Sequence, residues 1–249
     1  MMKWILGIVL ATALAGMAAA GPFDDLNEAD RTALHEEFRS YLLENPEILR
    51  EAMAELDRRE REAQVSRDVA LVEEHRDALT ADGYSNVMGN PEGDITIVEF
   101  LDYQCSYCKR AHPEIQALLA SDDNIRLIQK EFPILGPVSQ MASRAASALL
   151  IAQGAEVYDT FADKLMRHEG ALNQQVILAL AEESGADIDR MLELANSEQV
   201  SEQLSRNVEL GRAMEITGTP TFVVGDQMLR GFVPASTLRS MIAAQRREM

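Results

Sequence analysis

A β-branched run that ends in a pair of cysteines constrains this chain more than any other feature. Ile95-Thr96-Ile97-Val98 reads as a buried strand. Beyond it come Cys105 and Cys108, the only cysteines in the 249 residues, spaced C-x-x-C, and the chain after them turns helical. The pair therefore sits where a strand ends and a helix begins. Unpaired backbone N–H groups and the positive dipole end at a helix start favour a thiolate. A lowered thiol pKa marks Cys105 as the expected nucleophile. Cys108, one turn into the helix, is the expected resolving thiol and the more buried of the two.

Three kinds of chemistry compete for such a pair. A structural disulfide closing so small a loop constrains the unfolded chain little. A closed zinc site takes four ligands. His112, four residues after Cys108, raises the local ligand count to three at most. Redox exchange fits best, because C-x-x-C at a strand–helix junction is a thiol–disulfide signal. Two prolines point the same way. Pro113 lies inside the predicted helix and should kink it. Thr219-Pro220 directly precedes a second β run, Thr221-Phe222-Val223-Val224, and is a candidate cis bond.

Together these features resemble the thioredoxin superfamily. More narrowly, Glu99-Phe100-Leu101-Asp102-Tyr103 before the cysteines, with Lys130-Glu131-Phe132-Pro133-Ile134-Leu135-Gly136, resembles the DsbA family and its ScsC-type branch. That resemblance implies an α/β architecture: a thioredoxin fold with an inserted helical domain, preceded by an N-terminal helical arm. It implies that Cys105 attacks and Cys108 resolves, with Pro220 and Thr219 lining the substrate edge. It also implies a buried acid at Glu99 that exchanges protons with Cys108; a lone glutamate in a β run otherwise faces solvent. Tyr107, between the cysteines, either tunes the thiolate or presents an exposed ring to substrate. Ser106-Tyr107 replaces the Pro-His dipeptide of the strongest oxidants in the family.

Net charge is −18, which disfavours nucleic acid as a partner, since phosphate binding needs basic patches. Residues 1–20 read as a secretory signal: Lys3, an apolar core from Ile5 to Leu14, and small residues at Ala18-Ala19-Ala20. The alternative for this stretch is an uncleaved anchor. Cleavage would deliver the chain to the periplasm, where thiol–disulfide exchange proteins act.

Residues 21–80 read as an arm of successive helices. Asn27 with Asp30 and Asn45-Pro46 are helix starts. Leu34, Phe38, Tyr41 and Leu42 form one apolar stripe, and Ile48, Leu49, Ala52, Met53 and Leu56 another. The hexad Asp57–Glu62 has no apolar residue and reads as a solvated stalk. These helices either pack on the redox domain or associate with other copies, and the resemblance favours a trimer. The redox domain is expected over residues 81–249. Within it, 82–94 reads as a loop, Ile125–Phe132 as a strand and residues 138–214 as a helical insertion. Thr221–Val224 and Met228–Phe232 read as a hairpin, and Pro234 opens a final helix. His112 is expected on the helix surface, and Met141, Met166, Met191 and Met214 in the core.

The reading is an exported oxidoreductase, oxidase or isomerase, for unfolded or misoxidised envelope proteins, served by a membrane redox partner. No cofactor and no metal are expected. The opposing class is an envelope metal-handling or surface-structural protein that keeps the fold.

Overall fold

The computed structural model describes residues 26–248. The expected signal segment and residues 21–25 of the arm lie outside the described residues. The chain divides into two units, one ending at Arg59 and one beginning at Glu60.

In the first unit, α1 (Glu28–Glu44) starts at Asn27, whose side chain accepts from the N–H groups of Ala29 and Asp30. This satisfies two donors that the first turn leaves open. The next helix, α2 (Glu47–Glu74), begins directly after Pro46. No residue of α1 is buried. Phe38 is 62% exposed, and Tyr41, Leu49, Met53 and Leu56 are exposed as well. Glu55 pairs with Arg58 and Arg59 along α2, so the start of the charged hexad is laced by ion pairs within one helix.

The second unit is built on one sheet. Among the described residues its strands are β1 (Asn86–Gly89), β2 (Ile95–Leu101), β3 (Ile125–Glu131), β4 (Thr221–Val224) and β5 (Gln227–Arg230), in the order β1-β3-β2-β4-β5. Only the β2–β3 pairing is parallel. The period of two assigns the faces. Ile95, Ile97, Ile125 and Leu127 point to one side, against Ala111, Ile115 and Leu118 of α4 (Ser106–Leu119) and Leu238 and Ile242 of α10 (Ala235–Glu248). Val98, Phe100 and Ile128 point to the other. There they meet Val72 of α2, Leu79 of α3 (Arg76–Thr80), and Leu210 of α9 (Glu198–Ala213) with Met214.

Five helices lie between β3 and β4: α5 (Pro137–Gln153), α6 (Ala155–Arg167), α7 (Gln174–Glu183), α8 (Ile188–Ala195) and α9. Their core joins Leu149, Phe161, Leu165, Met191 and Leu204 to the small face of α5, Ala142, Ala145, Ala146 and Ala148. Burying each large apolar side chain contributes roughly 1.5–3 kcal/mol. Gly154 ends α5 and begins α6 at φ 84°, a left-handed conformation that lets one helix turn straight into the next.

Four expectations need correction. β1 lies inside the stretch read as loop, because Asn86 and Gly89 hide a four-residue edge strand from any period-based reading. β5 ends at Arg230 rather than Phe232, because Gly231 adopts φ 90° and donates its N–H to the Pro220 carbonyl at 2.8 Å. Met141 is 36% exposed rather than core. His112 is buried rather than on the surface, because Nε2 pairs with Asp163 Oδ1 of α6 at 2.7 Å.

Candidate active site

Cys105 occupies the N-cap position of α4, with extended backbone at φ −74° and ψ 116°. Its N–H donates to the Asp102 carbonyl, and its own carbonyl accepts from Lys109. Cys108 lies one turn on, fully buried, while Cys105 retains 8% exposure. Both are free thiols. Pro113 falls inside α4, which continues through it to Leu119.

The far end of the sheet closes on this turn. The Thr219–Pro220 bond is cis. As a thiol, Cys105 Sγ donates to the Thr219 carbonyl at 3.1 Å. As a thiolate it accepts from the Cys108 thiol, which does most to pull its pKa down to about 5. Burial opposes this, and the Thr219 hydroxyl, otherwise unpartnered, adds to it, with the N–H groups of Tyr107 and Cys108. The Cys108 pKa moves the other way. Burial pushes it up, as do its hydrogen bond to Cys105 and the charge of Glu99. The two sulfurs thus divide into a poised nucleophile and a reluctant acid.

Beneath the helix, Glu99 is 3% exposed on β2, and burial pushes its pKa up to about 7. A hydrogen bond from Gln129 pulls against that shift, and the charge of Glu131 adds to it. Glu99 is therefore an inward acid, within electrostatic reach of Cys108. Tyr107 is 57% exposed and presents its ring to solvent. Beyond β3, Ile134 and Leu135 are exposed as well. Lys109 Nζ donates to the His168 carbonyl at 2.8 Å, and the Arg110 guanidinium stacks over Phe232 at 4.3 Å.

Sequence reasoning missed Asp102. This fully buried carboxylate accepts from Gln104 N–H and Ser139 Oγ through one oxygen, and from the N–H groups of Ile134 and Leu135 through the other. It ties the loop after β3 and the start of α5 to the cysteine turn. Its only local signal was an aspartate two residues before a turn N–H, the Asx-turn spacing.

Residues 96–243 match the model of the DSBA-like thioredoxin domain. The chain belongs to that family. Residues 30–63 match the copper resistance protein ScsC N-terminal domain. Among solved structures, a thioredoxin-like oxidoreductase from Silicibacter pomeroyi DSS-3 is 40% identical, covering 69% of this chain and 98% of its own, with a TM-score of 0.66. Salmonella enterica Typhimurium BcfH is 29% identical over 86% of this chain and 95% of its own, with a TM-score of 0.74. A linker-deletion mutant of Proteus mirabilis ScsC is 25% identical over 90% and 99%, with a TM-score of 0.70. The curated relatives include a Na(+)/H(+) antiporter NhaA 1 from Salinispora arenicola, 29% identical over 161 residues, which are 64% of this chain and 24% of the antiporter. The chain spans about a quarter of the length of the curated relatives it matches. The DsbA-like domain thus holds both cysteines, on the fold of thiol–disulfide oxidoreductases.

Proposed function

We propose that this chain is an exported thiol–disulfide oxidoreductase that acts on cysteines of envelope proteins through Cys105-Ser106-Tyr107-Cys108. The observation that carries the reading is the asymmetry of the pair, with the Cys105 thiol pulled down to about 5 and the Cys108 thiol pushed up by burial. The periplasmic setting rests on the signal-like residues 1–20 and on kinship with a periplasmic thioredoxin-like protein from Salmonella enterica, 26% identical with a TM-score of 0.63.

In the oxidising direction, a client thiolate attacks Cys105 Sγ of the Cys105–Cys108 disulfide. The S–S electron pair leaves with Cys108, which takes a proton from Glu99. A second client thiolate then attacks the client sulfur of the mixed disulfide and expels Cys105 as a thiolate. The client has lost two electrons and the protein has gained them; a membrane redox partner takes them on. In the isomerising direction, reduced Cys105 attacks a client disulfide, and Cys108 resolves complexes that stall. Thr219 offers the client a backbone edge beside the sulfurs, held there by Pro220, whose own carbonyl is taken by the Gly231 N–H, and Tyr107 offers an exposed ring.

The expected arm of residues 21–80 divides at Arg59: the part before it acts as the oligomerisation arm, whereas Val72 and Leu79 pack on the sheet, so residues from Glu60 on belong with the redox domain of 81–249. Support for the arm comes from the exposed apolar residues of α1 and α2 and from the match of residues 30–63 to the ScsC N-terminal domain. Several sites facing one client raise the effective concentration of thiols and favour shuffling over simple oxidation. An insulin-reduction assay tests the central claim. Activity above background is expected for the wild type and none for Cys105→Ser; a wild type that stays at background would leave a surface-structural or metal-handling protein on the same fold.

A further inference from the structure

A second buried acid lies on the sheet face that carries Glu99, and the exchange chemistry above makes no use of it. Glu99 and Gln129 are register partners on β2 and β3, as are Leu101 and Glu131. The period of two puts Glu99, Gln129 and Glu131 on one face. Glu131 is 5% exposed. Its Oε1 accepts from the phenols of Tyr103 and Tyr158, both at 2.6 Å. Its buried Oε2 has no hydrogen-bond partner, and neither has the Ser143 hydroxyl, which favours the charged form of this carboxyl.

The titratable groups that act on Glu131 are Asp102 and Tyr103 after β2 and Tyr158 on α6, and Glu131 in turn acts on Glu99 of β2. One step further out, Cys108 of α4 faces Glu99, and Asp159 of α6 faces Tyr158. Asn86 of β1 bridges Gln129 and Asp159. Lys130 points to the other side, where Nζ donates to the Ala78 carbonyl and Asp82. The backbone carbonyl of Glu131 is held separately, by Asn207 Nδ2 at 3.1 Å.

We propose that Glu131 is a positioning residue for the exchange reaction: with Glu99 it forms a coupled carboxyl pair under the redox helix, and its protonation sets the pH at which Glu99 can serve Cys108. This rests on the role given to Glu99 above. Two carboxylates in one dry site repel, so ionising either makes the other harder to ionise. Burial pushes both up to about 7, and the charge of Glu131 adds to the shift of Glu99. When Cys108 leaves the disulfide as a thiolate it takes the Glu99 proton, and Glu99 is left charged. A protonated Glu131, with its carbonyl oxygen held by the two phenols, adds no second negative charge. When the disulfide re-forms, Cys108 returns the proton to Glu99, and Glu131 is unchanged throughout. Tyr103, two residues before Cys105, connects the pair to the cysteine turn.

The test titrates Glu99 by carbon-13 carboxyl NMR in the reduced full-length protein, and measures glutathione exchange at Cys105–Cys108 between pH 5 and 9. Glu131→Gln keeps both phenol bonds but cannot ionise. It should lower the Glu99 midpoint by about one unit and shift the pH–rate profile with it. Tyr158→Phe removes a donor that favours charged Glu131, so it should move the Glu99 midpoint in the same direction and serves if Glu131→Gln misfolds. Asn207→Ala frees the backbone but keeps the carboxyl, and should cost stability without moving the midpoint. A Glu99 midpoint that stays put in folded Glu131→Gln or Tyr158→Phe overturns the pair. A midpoint that moves while the rate profile does not overturns its role in exchange. Glu99→Gln separates the two readings: if that variant keeps the wild-type rate profile, the role of Glu99 itself falls, whatever Glu131 does to its titration.

Discussion

The reduced protein should gain stability over its disulfide form as pH rises, with a slope set by Cys105. An ordinary thiol at 9.0 is pulled down to about 5 in the folded chain. A depressed pKa stabilises the fold fully above the unfolded value, and the gain is lost as pH falls through the folded one. At pH 7 the unfolded thiol is protonated and the folded thiol ionised, so the two units between 5 and 7 count. At about 1.36 kcal/mol per unit they are worth roughly 2.7 kcal/mol. Water at the mouth of the site screens part of this, leaving roughly 1.5–2.5 kcal/mol. The disulfide form has no titrating thiol, and the titrations of Glu99 and Glu131 enter both forms and largely cancel. Urea unfolding of both forms at pH 5 and pH 7 reads the difference. The reduced form should gain the stated amount between the two pH values, equivalent to a disulfide more oxidising by about 30–55 mV. Reduced Cys105→Ser should lose the slope. A reduced-minus-oxidised difference that is flat from pH 5 to 7 would refute the reasoning.

Other consequences follow from the same geometry. Alkylation below pH 7 should label Cys105 quickly and Cys108 barely, and Cys108→Ser should accumulate mixed disulfides with clients on non-reducing gels; equal labelling of both sulfurs would sink the division of roles. Asp102→Ala strips four hydrogen bonds from a buried carboxylate and should cost roughly 2–4 kcal/mol in urea unfolding. Glu99 and Glu131 hold their protons above the unfolded value of 4.5, so the oxidised fold should lose stability as pH rises from about 4.5 to about 7, by on the order of 3 kcal/mol for each carboxyl. The double Gln variant should flatten that dependence. Light scattering on the mature chain should report an oligomer, and on a chain starting at Glu60, which keeps Val72 and Leu79 in the sheet core, a monomer; monomers in both cases would remove the arm's proposed role.

The strand, the cysteine turn, the inserted helices and the cis Thr219–Pro220 bond were all legible, because each is written in a local pattern of a few residues. A continuous β-branched run shows in Ile95–Val98, which is buried on both faces, and proline before a β run shows in Thr219–Pro220. What stayed hidden depends on partners distant in sequence. Asn86 and Gly89 look like loop residues until β3 supplies a ladder for them. His112 looks solvated until Asp163, 51 residues away, pairs with it. Glu131 reads as one more charge in an acidic chain until Tyr103 and Tyr158 close over it. The hydrophobic pattern even argued against a glutamate inside, because a carboxyl is tolerated there only where specific donors replace water.

The division of labour between the two sulfurs has one physical root. Both are buried, and burial alone would raise both pKa values. The hydrogen bond between them acts on each with opposite sign: it stabilises the Cys105 thiolate as acceptor and holds the proton on Cys108 as donor. Position then amplifies the split. Cys105 at the N-cap meets the N–H groups of Tyr107 and Cys108, while Cys108 sits over Glu99, whose charge repels a second anion. A thiolate therefore forms first at the exposed end of the site, where a client can reach it. In the proposed exchange, the proton that releases or closes the second sulfur comes from beneath, from the buried carboxyl of Glu99.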